Sequence, residues 1–315
     1  MQKISHFTIQ RLAPTLTLLF LAAGSMVAAE PPTTAPETPE KGSESASFIR
    51  VRRDEKRTPL AMETSIVRYA PADRNRRYPT VDLVSAFHIG EKKYYEELNK
   101  AFEDYDIVLY ELVAPLGTRV PKGGGDRDSA ISKVQKFLKN TLELEFQLDH
   151  IDYTKTNFVH ADMSFDDVTK AMADKGETWL TIFTRMMSYS MAQQAKKGDD
   201  GSAELLVAMF SKNRALALKR AIADQVDFED SVAMLEGPGG STLISGRNAI
   251  ALKVLRKQID DGKRKIAIFY GGGHMPDMDK HLRDDFGLVP VETRWLTAWD
   301  LKGKKKAKTV EKKAE

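Results

Sequence analysis

Four residues carry most of the chemistry this sequence can offer: His88, Glu111, Arg247 and His274. Two imidazoles and a carboxylate are donor types that suit zinc, manganese, cobalt or iron while leaving positions open for water and substrate. A divalent metal ion on His88, Glu111 and His274 would lower the pKa of its bound water to roughly 7 and turn that water into a nucleophile. Arg247 stands at an expected helix start and is a candidate partner for the Glu111 carboxylate. Glu111 follows the apolar run Val108-Leu109-Tyr110, so an unpaired carboxylate there would be costly to bury, and a metal or Arg247 would remove the cost. It could serve as ligand or as general base. Other chemistries are excluded by what is missing. The chain has no cysteine, and it lacks both the HExxH spacing of a metalloprotease helix and the G-x-S-x-G elbow of a serine hydrolase.

The elements around these residues set them along one line. Residues 80–87 form a short apolar, β-branched run ending at His88-Ile89-Gly90. Residues 91–104 repeat Tyr94, Leu98 and Phe102 at helical spacing, and 105–110 is another apolar strand that ends at Glu111. Strand, helix, strand at this spacing is a βαβ unit with parallel strands and a right-handed crossover. The pattern returns late in the chain. A helix over 248–259 stops at Asp261-Gly262, and a strand over 265–270 runs into Gly271-Gly272-Gly273-His274. His88, Glu111 and His274 therefore leave the carboxyl edge of a parallel sheet, the edge whose loops and helix N-termini form a crevice. A further strand over 156–162 brings His160 or Asp162 to the same rim. Arg247, Asn248, Gly272 and Gly273 are the residues expected to meet the substrate.

The fold class expected is α/β: a central, mainly parallel sheet with flanking helices and an inserted helical cap over about 164–236. Trp179, Ile182, Phe183, Met186, Met187, Met191 and Met209 form apolar stripes in that cap, and they read as adaptable core in preference to a cofactor box. His150, His160 and His281 read as hydrogen-bonded structural histidines. Residues 122–126 (KGGGD) lack the Lys-Ser/Thr ending of a phosphate loop, and 236–240 (EGPGG) reads as a turn.

Residues 1–29 have the outline of a secretory signal: Lys3 and Arg11 precede the apolar stretch 12–24, and small residues end at Ala29. Residues 30–47, rich in Pro, Thr, Ser and Glu, read as a disordered linker. The globular domain is expected over 48–301, and 302–315, with seven Lys and two Glu, as a solvated Lys-rich tail. The protein is thus expected to be exported, periplasmic or secreted, with membrane contact confined to an uncleaved signal segment or the Lys-rich tail. Its 48 Lys and Arg against 45 Asp and Glu argue against nucleic acid as a partner. Oligomeric state is not legible.

Taken together, these motifs resemble the TraB/PrgY/GumN/TIKI family, which is related in fold to the erythromycin esterase and ChaN-like group. Gly271-Gly272-Gly273-His274 matches the second Gly-x-x-His motif of that family. Arg247-Asn248 stands where its Arg-Asn helix start is expected, and Glu111 where its acidic residue ends a strand. Ser85-Ala86-Phe87-His88 carries Ser in the Gly position of the first motif, and Gly246 replaces the Glu that precedes the Arg-Asn pair. The resemblance implies an α/β fold with a metal-dependent hydrolytic site acting on peptides or small molecules, in which Arg247 would grip a substrate carboxylate or the developing oxyanion. It also implies an alternative, a ChaN-like protein that captures haem or another ligand without turnover, for which Tyr270, His88 and His274 offer axial ligands. An inactive scaffold is the third reading.

Overall fold

The computed structural model describes residues 46–73, 79–115, 118, 120, 139–197, 202–225, 236 and 240–303. The expected signal segment, nearly all of the expected linker, the glycine stretch 122–126 and the lysines from Lys304 onward lie outside them.

The chain folds around a mixed sheet with helices on both faces. Four strands are mutually parallel: β3 (Thr80–Ala86), β5 (Ile107–Tyr110), β7 (Phe158–His160) and β8 (Lys265–Gly271). Their order in space is β3-β8-β5-β7. The expected βαβ unit is present, its crossover being α1 (Lys92–Ala101) and a short 3-10 turn at Phe102–Asp104, but its strands are not neighbours. β8 slots between them, pairing Ala86 with Gly271 on one side and Tyr110 with Phe269 on the other. The strand expected over 156–162 is shorter, covering Phe158–His160.

Alternation along these strands divides the core in two. Val84, Ala86, Val108, Tyr110, Ala267 and Phe269 face one side, where Tyr94, Tyr95 and Leu98 of α1 cover them. Val81, Leu83, Ile107, Leu109, Ile266 and Ile268 face the other, under Ala251, Leu252 and Leu255 of α7 (Arg247–Asp260) and Met275, Met278 and Leu282 of α8 (Met275–Asp284). Burial on both faces is why these strands read as continuous apolar runs.

The sheet also has an antiparallel part. β2 (Pro59–Pro71) pairs along its length with β9 (Leu288–Asp300), while its other edge pairs β1 (Ile49–Arg53) and then β3. A small ribbon joins β4 (Ile89–Gly90) to β6 (Glu145–Phe146), next to a short helix α2 (Gln147–His150).

Between β7 and β8 the chain runs through α3 (Phe165–Asp174), α4 (Trp179–Lys197), α5 (Ser202–Met209) and α6 (Arg214–Gln225). Ile182 and Met186 are core, packed with Val168, Met172 and Leu243. Trp179, Phe183 and Met209 are exposed instead, because only one face of each helix meets the body. α6 lies on the same sheet face as α1, through Leu218, Ala221 and Ala223. No helix among the described residues is long and apolar enough to cross a membrane.

Candidate functional site

The aligned strand ends bring the expected residues together. A Cβ built on Gly271, the last residue of β8, would lie 3.3 Å from Glu111 Oε2, 3.5 Å from His88 Nε2 and 3.9 Å from His274 Cδ2. One small volume at the carboxyl edge is thus lined by a residue following β3, one following β5 and one from the turn after β8. Glycine at 271 keeps that volume open. At Gly272 the constraint is different: a Cβ there would run into the side chain of Ile49 and stand 2.9 Å from Ser85 Oγ.

His88 is exposed, and its loop is fixed from several directions. Its carbonyl accepts from Gln147 N at 2.9 Å, Ile89 O accepts from the Trp299 indole at 2.8 Å, and Glu91 N donates to Ala298 O at 2.8 Å. The buried Lys219 of α6 adds an ion pair to Glu91 at 3.0 Å.

Glu111 and His274 are anchored by Arg247. A π-type turn at Thr242–Gly246, capped by Ser241, starts α7 so that Arg247 and Asn248 are buried at its first turn. Arg247 Nε and Nη2 reach the two oxygens of Asp162 at 2.9 and 2.6 Å, Nη2 reaches Glu111 Oε1 at 2.7 Å, and Nη1 lies 3.4 Å from His274 Nε2. Glu111 Oε2 accepts from Gly271 N at 2.6 Å. Four of the five guanidinium N–H groups are therefore committed within the protein. The expectation that Arg247 grips substrate gives way to a positioning role.

Asn248 is likewise turned inward, so its expected contact with substrate is corrected too. Its Nδ2 donates to His274 O at 3.0 Å and to Asp277 Oδ2 at 2.7 Å, leaving Oδ1 to face His274 Nδ1 at 2.7 Å. With both amide hydrogens assigned by acceptors, Oδ1 must accept, and His274 Nδ1 must carry the proton. Neutral His274 then presents a lone pair at Nε2, toward Arg247 and 3.5 Å from Glu111 Oε1. Gly272 is buried and Gly273 half-buried beside it.

Burial works to raise the pKa of Glu111, but the charges of Arg247, His274 and His88 outweigh it and hold the carboxyl well below the ordinary range. For Arg247, burial opposes the charge, while Asp162 and Glu111 reinforce it and win. With both imidazoles neutral, one guanidinium against two carboxylates leaves the cluster at −1, a charge that one protonated imidazole cancels.

Donor type and charge would admit a divalent ion at His88, Glu111 and His274; the placement of Arg247 does not. Its guanidinium occupies Oε1 of Glu111 and the Nε2 side of His274, and among the described residues no three His, Asp or Glu side chains are grouped to hold a metal. In this arrangement the residues do not fit the ion. Tyr270 is corrected as an axial haem ligand: it is 1% exposed and its hydroxyl donates to Ala161 O. Burial first, and then Asp162, raise its pKa well above that of a free phenol, which disfavours the phenolate.

Two residues of the cluster go beyond the four main candidates. Asp162 emerges as the bidentate partner of Arg247; the sequence offers only its place at a strand end. Glu236, read above as part of a turn, lies near enough to His274 and Asp277 to feel their charges. Burial and Asp277 raise its pKa, while Ser241 and Ser245 backbone hydrogen bonds and His274 oppose that, and its Oε1 has no partner among the described residues. His160 stays off the cluster, with Nε2 donating to Leu112 O at 2.5 Å.

Compared with models of protein families, with curated proteins and with solved structures, the chain matches none. The resemblance to the TraB/PrgY/GumN/TIKI family rests on the motifs alone.

Proposed function

We propose that the chain is an exported hydrolase, peptidase-like in its substrates, with its reaction centre beside Gly271. The observation that carries this reading is the convergence of a solvent-facing imidazole, a largely buried carboxylate held ionised and a second imidazole of fixed tautomer around Gly271. His88 is the group that bulk water and substrate can reach. It takes a proton from water at Nε2 as that water adds to the substrate carbonyl, and returns it to the leaving amine. Glu111 stabilises the imidazolium formed in between. Arg247, Asp162 and His274 hold Glu111 in place, so little reorganisation accompanies the charge change.

A metal-assisted version of the same hydrolysis is favoured by donor type and by the net −1 of the cluster. It requires Arg247 to withdraw from Glu111 and His274. Turnover of a peptide and ester library, run with and without chelator and alongside elemental analysis, separates the two. The acid-base reading expects chelator-insensitive turnover that His88→Ala abolishes. Turnover that follows bound metal selects the second version. A protein that turns over nothing in the library but carries a Soret band is a ligand-capture protein, and the hydrolase reading is then abandoned.

A further inference from the structure

The sheet ends, on the side away from β7, in an edge that the proposed reaction does not use. β9 pairs β2, and among the described residues no strand pairs its other side. One hydrogen bond tells which backbone groups point out there. Ser65 N donates to Phe48 O at 2.9 Å, so the Ser65 backbone faces β1, and alternation along the strand turns Thr64 and Ile66 toward β9. Ile66 lies opposite Arg294 and Val67 opposite Thr293, with no register shift between Thr64 and Arg68. Arg294 therefore directs its N–H and C=O to β2, while Thr293 and Trp295 turn theirs outward. The open stretch is bounded at both ends: Pro290 has no N–H, and Ala298 O is taken by Glu91 N at 2.8 Å. Between them, residues 291–294 are all exposed, Val291 by 53%.

An unpaired edge is a template for another strand, and the residues along it decide which strand fits. The order Val291-Glu292-Thr293-Arg294-Trp295 is its own complement when laid antiparallel to itself. With Thr293 on a two-fold axis, Glu292 stands opposite the partner's Arg294, and Arg294 opposite the partner's Glu292. Val291 falls opposite the partner's Trp295. The outward N–H and C=O of Thr293 then exchange hydrogen bonds with the partner's Thr293, as a self-complementary two-fold contact requires. Moving the axis to Glu292 or to Arg294 would set like charges opposite each other, on residues whose backbone is already given to β2. The charged side chains are free to serve. Arg294 makes no ion pair among the described residues, and Glu292 is 62% exposed, with Oε2 on Arg68 at 3.0 Å and Oε1 open to a second cation.

We propose that β9 joins the β9 of a second copy of this chain, antiparallel about Thr293, to form a two-fold dimer whose sheet runs on from one protomer into its partner.

Sedimentation velocity of the protein expressed from its full sequence should show a monomer–dimer equilibrium. The edge is short, so the equilibrium belongs in the micromolar range and above, and it should weaken as salt rises. R294E sets carboxylates against each other on both sides of the axis and should raise the dissociation constant at least about tenfold. E292R/R294E reverses both charges and should bring it back to within about threefold of wild type. Both variants should keep the wild-type unfolding temperature, because the altered side chains are exposed. T293P removes the N–H on the axis, at an edge position where proline is tolerated, and should abolish the dimer. Because the chain has no cysteine, T293C should give a disulfide-linked dimer on oxidation, the paired Cα atoms standing about 5.5 Å apart, whereas K302C, beyond the open stretch, should not. Three results overturn the proposal: a monomer at every concentration up to millimolar, a dimer that neither R294E nor T293P weakens, or a dimer that R294E breaks and E292R/R294E fails to restore.

Discussion

Asn248 decides which nitrogen of His274 carries a proton: its Oδ1 lies 2.7 Å from Nδ1 while its amide hydrogens are held by His274 O and Asp277. A neutral His274 can therefore offer only Nε2 to the cluster. The relationship is internal to one helix start and one turn.

Nitrogen NMR of the imidazoles checks this directly. In its neutral form His274 should show a protonated Nδ1 and an unprotonated Nε2. Asn248→Leu should lose that pattern, and it should also destabilise the fold by roughly 1–3 kcal/mol for each buried group left without a partner. A wild-type spectrum with the proton on Nε2 would reverse the assignment of the Asn248 amide.

Arg247 is the most demanding residue of the cluster. Truncation to Ala strands Glu111 and Asp162, two carboxylates beneath the surface, and breaking such a pair typically costs about 3–5 kcal/mol. Urea unfolding should show that loss in Arg247→Ala. Arg247→Lys should recover a minor part, because an ammonium cannot bridge both oxygens of Asp162 while reaching Glu111. Equal stability of wild type and Arg247→Ala would show that the network does not hold the site.

Glu111 gives a pH signature with a definite sign. Its folded pKa is depressed, so its ionised form adds stability that is complete above the ordinary carboxylate value near 4.3 and is lost as pH falls through the lower folded value. Glu111→Gln should lose stability at pH 7 and show a flatter stability profile below pH 4 than wild type. Parallel profiles for the two proteins would mean that Glu111 is not held ionised by Arg247.

The clustering of these residues was legible where the fold is parallel and opaque where it is not. β3, β5 and β8 are buried on both faces, so their apolar runs stand out and the residues just past their ends can be named. β2 hides because its interior is polar: Glu63, Thr64 and Ser65 are buried there, satisfied by Arg50 and Arg52, by Tyr94 and by Ser47. β9 hides because Glu292, Thr293 and Arg294 are exposed, which breaks the alternation a half-buried strand would show. The inward turn of Arg247 and Asn248 depends on Asp162 and Asp277, which are 85 positions before Arg247 and 29 after Asn248, and no local pattern reports such partners.

The two glycines beside His274 should separate the open volume from the packing that surrounds it. In Gly271→Ala the added methyl projects between Glu111 Oε2 and His88 Nε2, at 3.3 and 3.5 Å, where a water or substrate atom has to stand. The backbone there is extended, with φ near −53° and ψ near 142°, so alanine imposes no conformational strain. Turnover should therefore fall sharply while the urea midpoint moves little. In Gly272→Ala the methyl meets Ile49 instead, on the opposite side of the strand end, and overpacking of this kind typically costs about 1–3 kcal/mol. Ile49→Ala in the same chain should relieve part of that cost, with Ser85 Oγ at 2.9 Å limiting the rescue. A Gly271→Ala protein that keeps full turnover on a substrate the wild type hydrolyses would place the reaction away from this cluster, whatever the Gly272 variants do.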